Sequence, residues 1–220
     1  MALALKRKTA ALAFVLALAA ARAGAGEPPP GFVRLAEIAP DIPQDMRYAG
    51  PNNFTGAPVP GYRAPQCWLR ADAARALAAA QADARRQGFS LIVYDCYRPR
   101  RAVAAFVDWS KDPSQQTKAE YYPRIEKNTL FAQGYIAENS THTTGLAVDL
   151  GVVGWNFGTP FDFFDKRSWT GSQVDGEAAK HRRTLVALMR RHGFANYPRE
   201  WWHYTFKGAA GARSHDAEVE

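Results

Sequence analysis

Cysteines and long hydrophobic runs are both scarce in this sequence of 220 residues. The two cysteines, Cys67 and Cys96, match no zinc-binding spacing, which excludes a cysteine-based zinc module. No segment repeats at the periods of solenoid proteins, so a repeat architecture is also excluded. The apolar run from Thr9 to Ala21 is shorter than the ~20 residues that a membrane helix needs. We therefore expect no stable membrane span in the mature chain.

The first 25 residues have the order of a secretory signal peptide: Lys6-Arg7-Lys8, then the apolar run, then small residues. We expect residues 1–25 to be removed on export, to a periplasmic location. No cysteine lies near the cleavage region, so a lipid anchor is not predicted. In an exported chain the cysteine pair favours a Cys67–Cys96 disulfide, and two buried thiols are the alternative.

Charge gives no indication of a nucleic-acid partner. The formal net charge is +7, but four basic residues and no acidic ones precede Gly24, which leaves 24 basic against 21 acidic residues. No stripe of basic and aromatic residues is present, so nucleic-acid binding is not predicted. Four basic clusters fall mostly on predicted helices and indicate solvated helical faces: Arg85-Arg86, Arg98-Pro99-Arg100-Arg101, Arg182-Arg183 and Arg190-Arg191.

Helical and strand patterns alternate along the chain and predict one α+β domain over residues 26–207, with a small, mainly antiparallel central sheet flanked by helices. Residues 27–65 are rich in proline and glycine and predict an irregular arm, and residues 208–220 a flexible tail. The predicted helices are Leu69–Gln87, Arg100–Trp109, part of Lys118–Tyr135, and Gly176–His192. The predicted strands are Phe89–Asp95, Leu146–Val152 and Trp201–Phe206.

Three possible zinc ligands stand at turn-to-strand junctions. His142 lies in a polar turn, Asp149 in the strand that follows, and His203 at the final strand. Histidine and carboxylate side chains bind zinc, and a catalytic zinc site keeps a fourth position for water. Glu200, three residues before His203, is placed to exchange a proton with such a water. Each of these residues alone also has an ordinary structural explanation.

Longer motifs make the chemistry specific. Ser140-x-His142-x-x-Gly145-x-Ala147-x-Asp149 and Glu200-x-Trp202-His203 resemble the two signatures of the D-alanyl-D-alanine dipeptidases, the VanX-type zinc peptidases. Asp95-x-Tyr97-Arg98-Pro99 resembles a third block of that family. Asn53-Phe54-Thr55-Gly56 and Phe161-Asp162-Phe163 resemble lesser blocks. The similarity runs from about Ile42 to Phe206.

The resemblance implies a role for each matching residue. His142, Asp149 and His203 would hold one Zn²⁺ per chain, and Glu200 would be the general base and then the general acid. Arg98 would stabilise the oxyanion, a role that suits its fixed charge and its fork of donors. Asp162 would receive the free amine of the substrate, although a simple turn residue is an equal explanation. The implied fold is that of the zinc D,D-carboxypeptidases and the Hedgehog signalling domain.

Three functions remain open from the sequence. The resemblance favours hydrolysis of the D-alanyl-D-alanine dipeptide, and export favours salvage of that dipeptide from the cell wall. A D,D-carboxypeptidase acting on peptidoglycan stem peptides and a non-catalytic zinc-stabilised binding module are the alternatives. Thr143-Thr144 and Cys96 depart from the family pattern and bear on substrate preference. The sequence gives no prediction of oligomeric state.

Overall fold

A computed structural model describes residues 26–209 and 212–220, and the predicted signal peptide lies outside them. The strands are β1 (Phe32–Arg34), β2 (Trp68–Arg70), β3 (Leu91–Asp95), β4 (Ala147–Val152), β5 (Phe194–Asn196) and β6 (His203–Phe206). The α-helices are α1 (Leu35–Ile38), α2 (Ala71–Arg86), α3 (Arg100–Lys111), α4 (Lys118–Tyr121) and α5 (Gly176–Arg191). Short 3₁₀ helices span Arg47–Ala49, Lys127–Thr129, Thr141–Thr144 and Lys166–Ser168.

The central sheet has four strands in the order β3-β4-β6-β5, and every neighbouring pair is antiparallel. All six residues of β4 are buried, which fits its position inside the sheet. In β3, buried and partly buried residues alternate as the two-residue strand period requires. A second, two-stranded antiparallel sheet pairs β1 with β2. The predicted α+β class with a small antiparallel sheet is confirmed.

The long helices form because good helix formers meet clear boundary signals. Alanines and Leu77 make the buried face of α2, which packs against α5. The side chain of Asp175 accepts a hydrogen bond from the Ala178 amide and so begins α5. Pro99 immediately precedes α3, so Arg98 lies at the corner between β3 and α3, as the sequence predicts. Among the described residues, no helix combines the length and the apolar character needed to cross a bilayer.

The last nine residues differ from the predicted flexible tail. Val219 is completely buried, and its amide and carbonyl bond to Gly61, Arg63 and Ala64. Asp216 also accepts hydrogen bonds from the backbone and the side chain of Arg101. Polar composition predicted a mobile end, but backbone pairing to the irregular arm fixes residues 212–220 on the domain.

Arg182 is a second correction, because it lies inside the domain rather than on a solvated helical face. Its side chain is 1% exposed, and its three guanidinium nitrogens each donate to a backbone carbonyl. The acceptors belong to Phe157, Arg167 and Trp169, at 2.7–2.9 Å. Arg182 therefore ties the aromatic loop between β4 and α5 to the helix.

Candidate metal centre

Strand register brings the carboxylates and one imidazole into a single row across the sheet. Asp149 in β4 is directly opposite His203 in β6 on one side and Asp95 in β3 on the other. Residues directly opposite in antiparallel strands project from the same face. The pairing of β3 with β4 shifts between Val93 and Asp95, and this irregularity at the strand end places Asp95 beside Asp149. The row is therefore a consequence of sheet pairing.

His142 reaches this row from the 3₁₀ helix that precedes β4. The Ser140 hydroxyl accepts a hydrogen bond from the His142 amide and starts the helix. Gly145 ends it with φ of 71°, a left-handed conformation that favours glycine. A Cβ atom at Gly145 would also clash with the Phe32 ring, so a larger residue would force the turn or the ring to move.

Three candidate ligand atoms converge at one point: His142 Nε2, Asp149 Oδ1 and His203 Nδ1. His142 Nε2 lies 3.2 Å from Asp149 Oδ1 and 3.1 Å from His203 Nδ1, and the remaining separation is 3.0 Å. Ligand atoms around a tetrahedral zinc ion are about 3.3–3.6 Å apart, so the observed triangle is close to what zinc requires. No other group of three or more such side chains among the described residues could hold a metal ion.

Asp149 Oδ1 is also placed to face a cation. The atom is buried, and the imidazole nitrogens 3.2 and 3.0 Å away make no well-formed hydrogen bond to it. A buried carboxylate oxygen that lacks a good hydrogen bond is costly, and a bound cation would relieve that cost. Two nitrogens and one carboxylate oxygen are a ligand set that zinc commonly takes.

Both imidazoles are arranged so that a ring nitrogen could bind a metal ion. A carbonyl oxygen can only accept, so His142 Nδ1 donates to the Cys96 carbonyl at 2.7 Å and leaves the Nε2 lone pair facing Asp149. Burial lowers the pKa of His203, which favours the neutral imidazole that binds a metal.

Glu200 stands beside the three ligands. Its Oε2 atom is 3.7 Å from His203 Nδ1, and its backbone amide donates to the Tyr197 carbonyl in the turn before β6. Burial, followed by the negative charges of Asp149 and Asp162, raises its pKa well above the ordinary value for glutamate. A carboxylate whose proton affinity is raised in this way is suited to accept a proton and later release it.

Arg98 is held at the opposite side of the site by Asp95. Its Nε and Nη2 atoms both donate to Asp95 Oδ2, at 3.0 and 2.8 Å, and Nη2 is 3.7 Å from Asp149 Oδ2. The other Asp95 oxygen accepts from the Tyr62 hydroxyl at 2.7 Å. Burial lowers the pKa of Arg98, but the carboxylates, chiefly Asp95, raise it well above the ordinary value. Arg98 therefore supplies a fixed positive charge.

These groups open onto one cavity of about 350 Å³, which lies in the size range of small-molecule sites. The residues that line it include the three ligands, Glu200 and Arg98, as well as Tyr48, Tyr135, Ile136 and Tyr197. Asp162 is not among the lining residues. It lies behind Tyr48, whose hydroxyl donates to Asp162 Oδ2 at 2.8 Å.

Sequence reasoning missed Tyr48, and it placed Asp95 in the third family block without giving it a role in the site. Tyr48 lies in the arm that was predicted to be irregular, and its ring packs 5.1 Å below the Arg98 guanidinium. No local pattern could reveal that contact. Asp95 could have been found, because an aspartate at the end of a buried strand three residues before Arg98 is a natural partner for it.

Comparison with known proteins gives consistent matches. Residues 29–219 match a protein family described as D-ala-D-ala dipeptidase. The D-alanyl-D-alanine dipeptidase of Enterococcus faecium is 37% identical over 185 residues, which cover 80% of this chain and 92% of that protein. The protein of the same name from Streptomyces coelicolor is 38% identical, covering 80% and 91%, and the Escherichia coli one is 31% identical, covering 81% and 86%.

Proposed function

Because this chain belongs to the D-alanyl-D-alanine dipeptidase family, we propose that it is a zinc dipeptidase that hydrolyses D-alanyl-D-alanine to two D-alanines. The observation that carries the proposal is the convergence of His142, Asp149 and His203 around a buried carboxylate oxygen that lacks a well-formed hydrogen bond. These groups lie in a cavity that Glu200 and Arg98 also line. Neither the general base nor the cationic donor is missing, which argues against a non-catalytic binding module.

His142, Asp149 and His203 would hold one zinc ion per chain through Nε2, Oδ1 and Nδ1. When bound, zinc supplies Lewis-acid chemistry, which makes water more acidic and polarises a carbonyl. The Cys96 carbonyl orients the His142 ring, and two threonine hydroxyls orient the His203 ring. His203 Nε2 lies 3.3–3.4 Å from the hydroxyls of Thr141 and Thr205, so Nδ1 is the atom left to face the centre.

Glu200 would accept the proton of the attacking water at its carboxylate and then deliver that proton to the departing amine nitrogen. Arg98 would donate hydrogen bonds to the oxygen on which negative charge develops, because its guanidinium is already oriented by Asp95 and needs no rearrangement. Asp95 thus acts through Arg98 as a positioning residue.

Asp162 with Tyr48 would receive the substrate's free amine. Burial and the charge of Asp149 raise the pKa of Asp162 to about 8, so an ammonium group would stabilise its ionised form. Tyr48 stands between Asp162 and the cavity. The oxygen of the Tyr48 hydroxyl would therefore accept a hydrogen bond from the ammonium group while its proton remains bonded to Asp162.

Export to the periplasm is part of the proposal. The leader-like first 25 residues motivate it, and the Cys67–Cys96 disulfide is consistent with an oxidising compartment. In that compartment the substrate would come from cell-wall turnover. Edman sequencing of the protein recovered from a periplasmic extract would test this, with a new N-terminus near residue 26 as the expected result.

Substrate choice is tested by parallel assays on the purified zinc-loaded protein. We expect D-alanyl-D-alanine to be cleaved and L-alanyl-L-alanine, the stereochemical control, to remain intact. A pentapeptide stem that ends in D-alanyl-D-alanine is the decisive competitor. If the stem is trimmed while the free dipeptide persists, the protein is a D,D-carboxypeptidase and the dipeptidase proposal is wrong.

A further inference from the structure

The disulfide of this chain lies against the candidate metal centre. Cys67 and Cys96 are both buried, and their sulfurs are bonded with a Cα–Cα distance of 5.2 Å. Cys67 immediately precedes β2 in the two-stranded sheet, and Cys96 immediately follows β3 in the four-stranded sheet. The bond therefore joins the two sheets at the end of β3 where the site is built.

Cys96 has a direct contact with a metal ligand through its backbone. Its carbonyl oxygen accepts the Nδ1 proton of His142 at 2.7 Å, in a contact where both residues are at most 1% exposed. Partners of this kind set the tautomer and the orientation of a ligating imidazole and strengthen its metal binding. Here that partner belongs to the same residue that carries the disulfide.

The peptide around Cys96 lies just beyond regular strand pairing. The β3–β4 register shifts before Asp95, and β3 ends there. After the strand, the Tyr97 amide donates to the Trp68 carbonyl at 2.9 Å and the Arg98 amide to the His142 carbonyl at 3.2 Å. The disulfide lies next to the first of these hydrogen bonds. It covalently joins the start of β2 to the turn between β3 and α3, which contains Arg98.

A competing acceptor makes the position of the carbonyl matter. Asp95 Oδ2 is 3.4 Å from His142 Nδ1, and this oxygen already accepts both Arg98 donors. If the Cys96 carbonyl moved away, His142 would turn toward Asp95 and compete with Arg98 for it. One displacement would then disturb a metal ligand and the cationic donor together.

We propose that the Cys67–Cys96 disulfide is a positioning element of the metal centre, which holds the Cys96 carbonyl against His142 and thereby tightens zinc binding. This inference rests on the proposed zinc site. The proposed role of the disulfide in the site is distinct from its general contribution to stability.

The test is zinc affinity measured by competition with a chromophoric chelator, at a temperature where near-ultraviolet circular dichroism shows each protein folded. We expect the double variant Cys67→Ala/Cys96→Ala to bind zinc about 10–100-fold more weakly than wild type. Leu77→Ala is the matched control, because it removes a buried side chain from α2, away from the cavity lining, and should lower thermal stability with zinc affinity unchanged.

Reduction of the folded wild-type protein with a phosphine keeps the test decisive if the double variant does not fold. Zinc affinity should fall on reduction and return on reoxidation, and the recovery would show that the treatment itself does not damage the site. Wild-type zinc affinity in the folded, disulfide-free protein would overturn the positioning role. Failure of the oxidised wild type to bind one zinc ion would instead overturn the proposed function.

Discussion

Two arginines, the partly buried Arg98 and the buried Arg182, show how a charge beside the cavity differs from a charge inside the fold. Arg182 donates from all three guanidinium nitrogens to backbone carbonyls. Arg98 donates from Nε and Nη2 to the carboxylate of Asp95, a charged group, rather than to neutral carbonyls. Arg98 also lines the cavity, whereas Arg182 does not.

The surroundings of the two side chains differ in the same sense. Burial lowers the pKa of Arg182, whose hydrogen-bond acceptors are neutral carbonyls. Around Arg98 lie carboxylates and the ring of Tyr48, and the buried Asp149 Oδ1 nearby makes no well-formed hydrogen bond to the described residues. A fully satisfied buried group contributes to the fold. Partly satisfied groups around a cavity indicate a site that a ligand completes.

The largest effect should come from the cavity side, with Glu200→Gln. Glutamine preserves the shape but cannot accept the proton, so kcat for D-alanyl-D-alanine should fall by about 10²–10⁴-fold. Zinc content and thermal stability should be retained, because the variant removes a partly buried carboxylate whose charge is disfavoured by burial and by the charge of Asp149. Steady-state kinetics with metal analysis gives the answer, and an unchanged kcat would remove Glu200 from the mechanism.

Arg98→Lys comes next and probes the cavity-facing arginine. Lysine keeps the charge but loses the planar fork, so kcat/KM should fall by about 10²–10³-fold, the usual effect of losing one donor to a developing oxyanion. Denaturant unfolding should show that the variant is folded. Activity near the wild-type level would mean that Arg98 is only a structural partner of Asp95. The two arginines would then have the same kind of role.

Arg182→Lys is the matched change at the structural arginine. A lysine cannot reach all three carbonyls in the same geometry, so the free energy of unfolding should fall by roughly 2–4 kcal/mol. The kcat of the folded variant should stay within about twofold of wild type, since neither Arg182 nor the residues whose carbonyls it contacts line the cavity. Urea unfolding measures the first quantity. A fall in kcat without a fall in stability would contradict the purely structural role of Arg182.

The pH dependence of kcat/KM, a gradual change, should again distinguish the cavity residues from Arg182. Glu200 acts in its ionised form and its pKa is raised, so kcat/KM should decline as pH falls through a value above the ordinary glutamate range. Below that value the decline approaches tenfold per pH unit. Arg182→Lys should leave the profile in place. An acid limb at the ordinary glutamate pKa would mean that Glu200 is not the titrating base.

Local chemistry explains which features the sequence could predict. Strand β3, helices α2, α3 and α5, and the ligand set each depend on short-range periodicity or on contiguous motifs. The burial of Arg182 depends on three carbonyls 13–25 residues away, and a basic pair on a helix carries no sign of them. The packed C-terminal residues depend likewise on pairing with an irregular arm.

Titration of zinc into the metal-free protein, with hydrolysis of D-alanyl-D-alanine followed at each addition, tests the central claim most directly. The three converging atoms of His142, Asp149 and His203 predict that activity rises in proportion to added zinc and reaches a plateau at one ion per chain. Full activity of the metal-free protein, or a rise with no plateau at one equivalent, would contradict it.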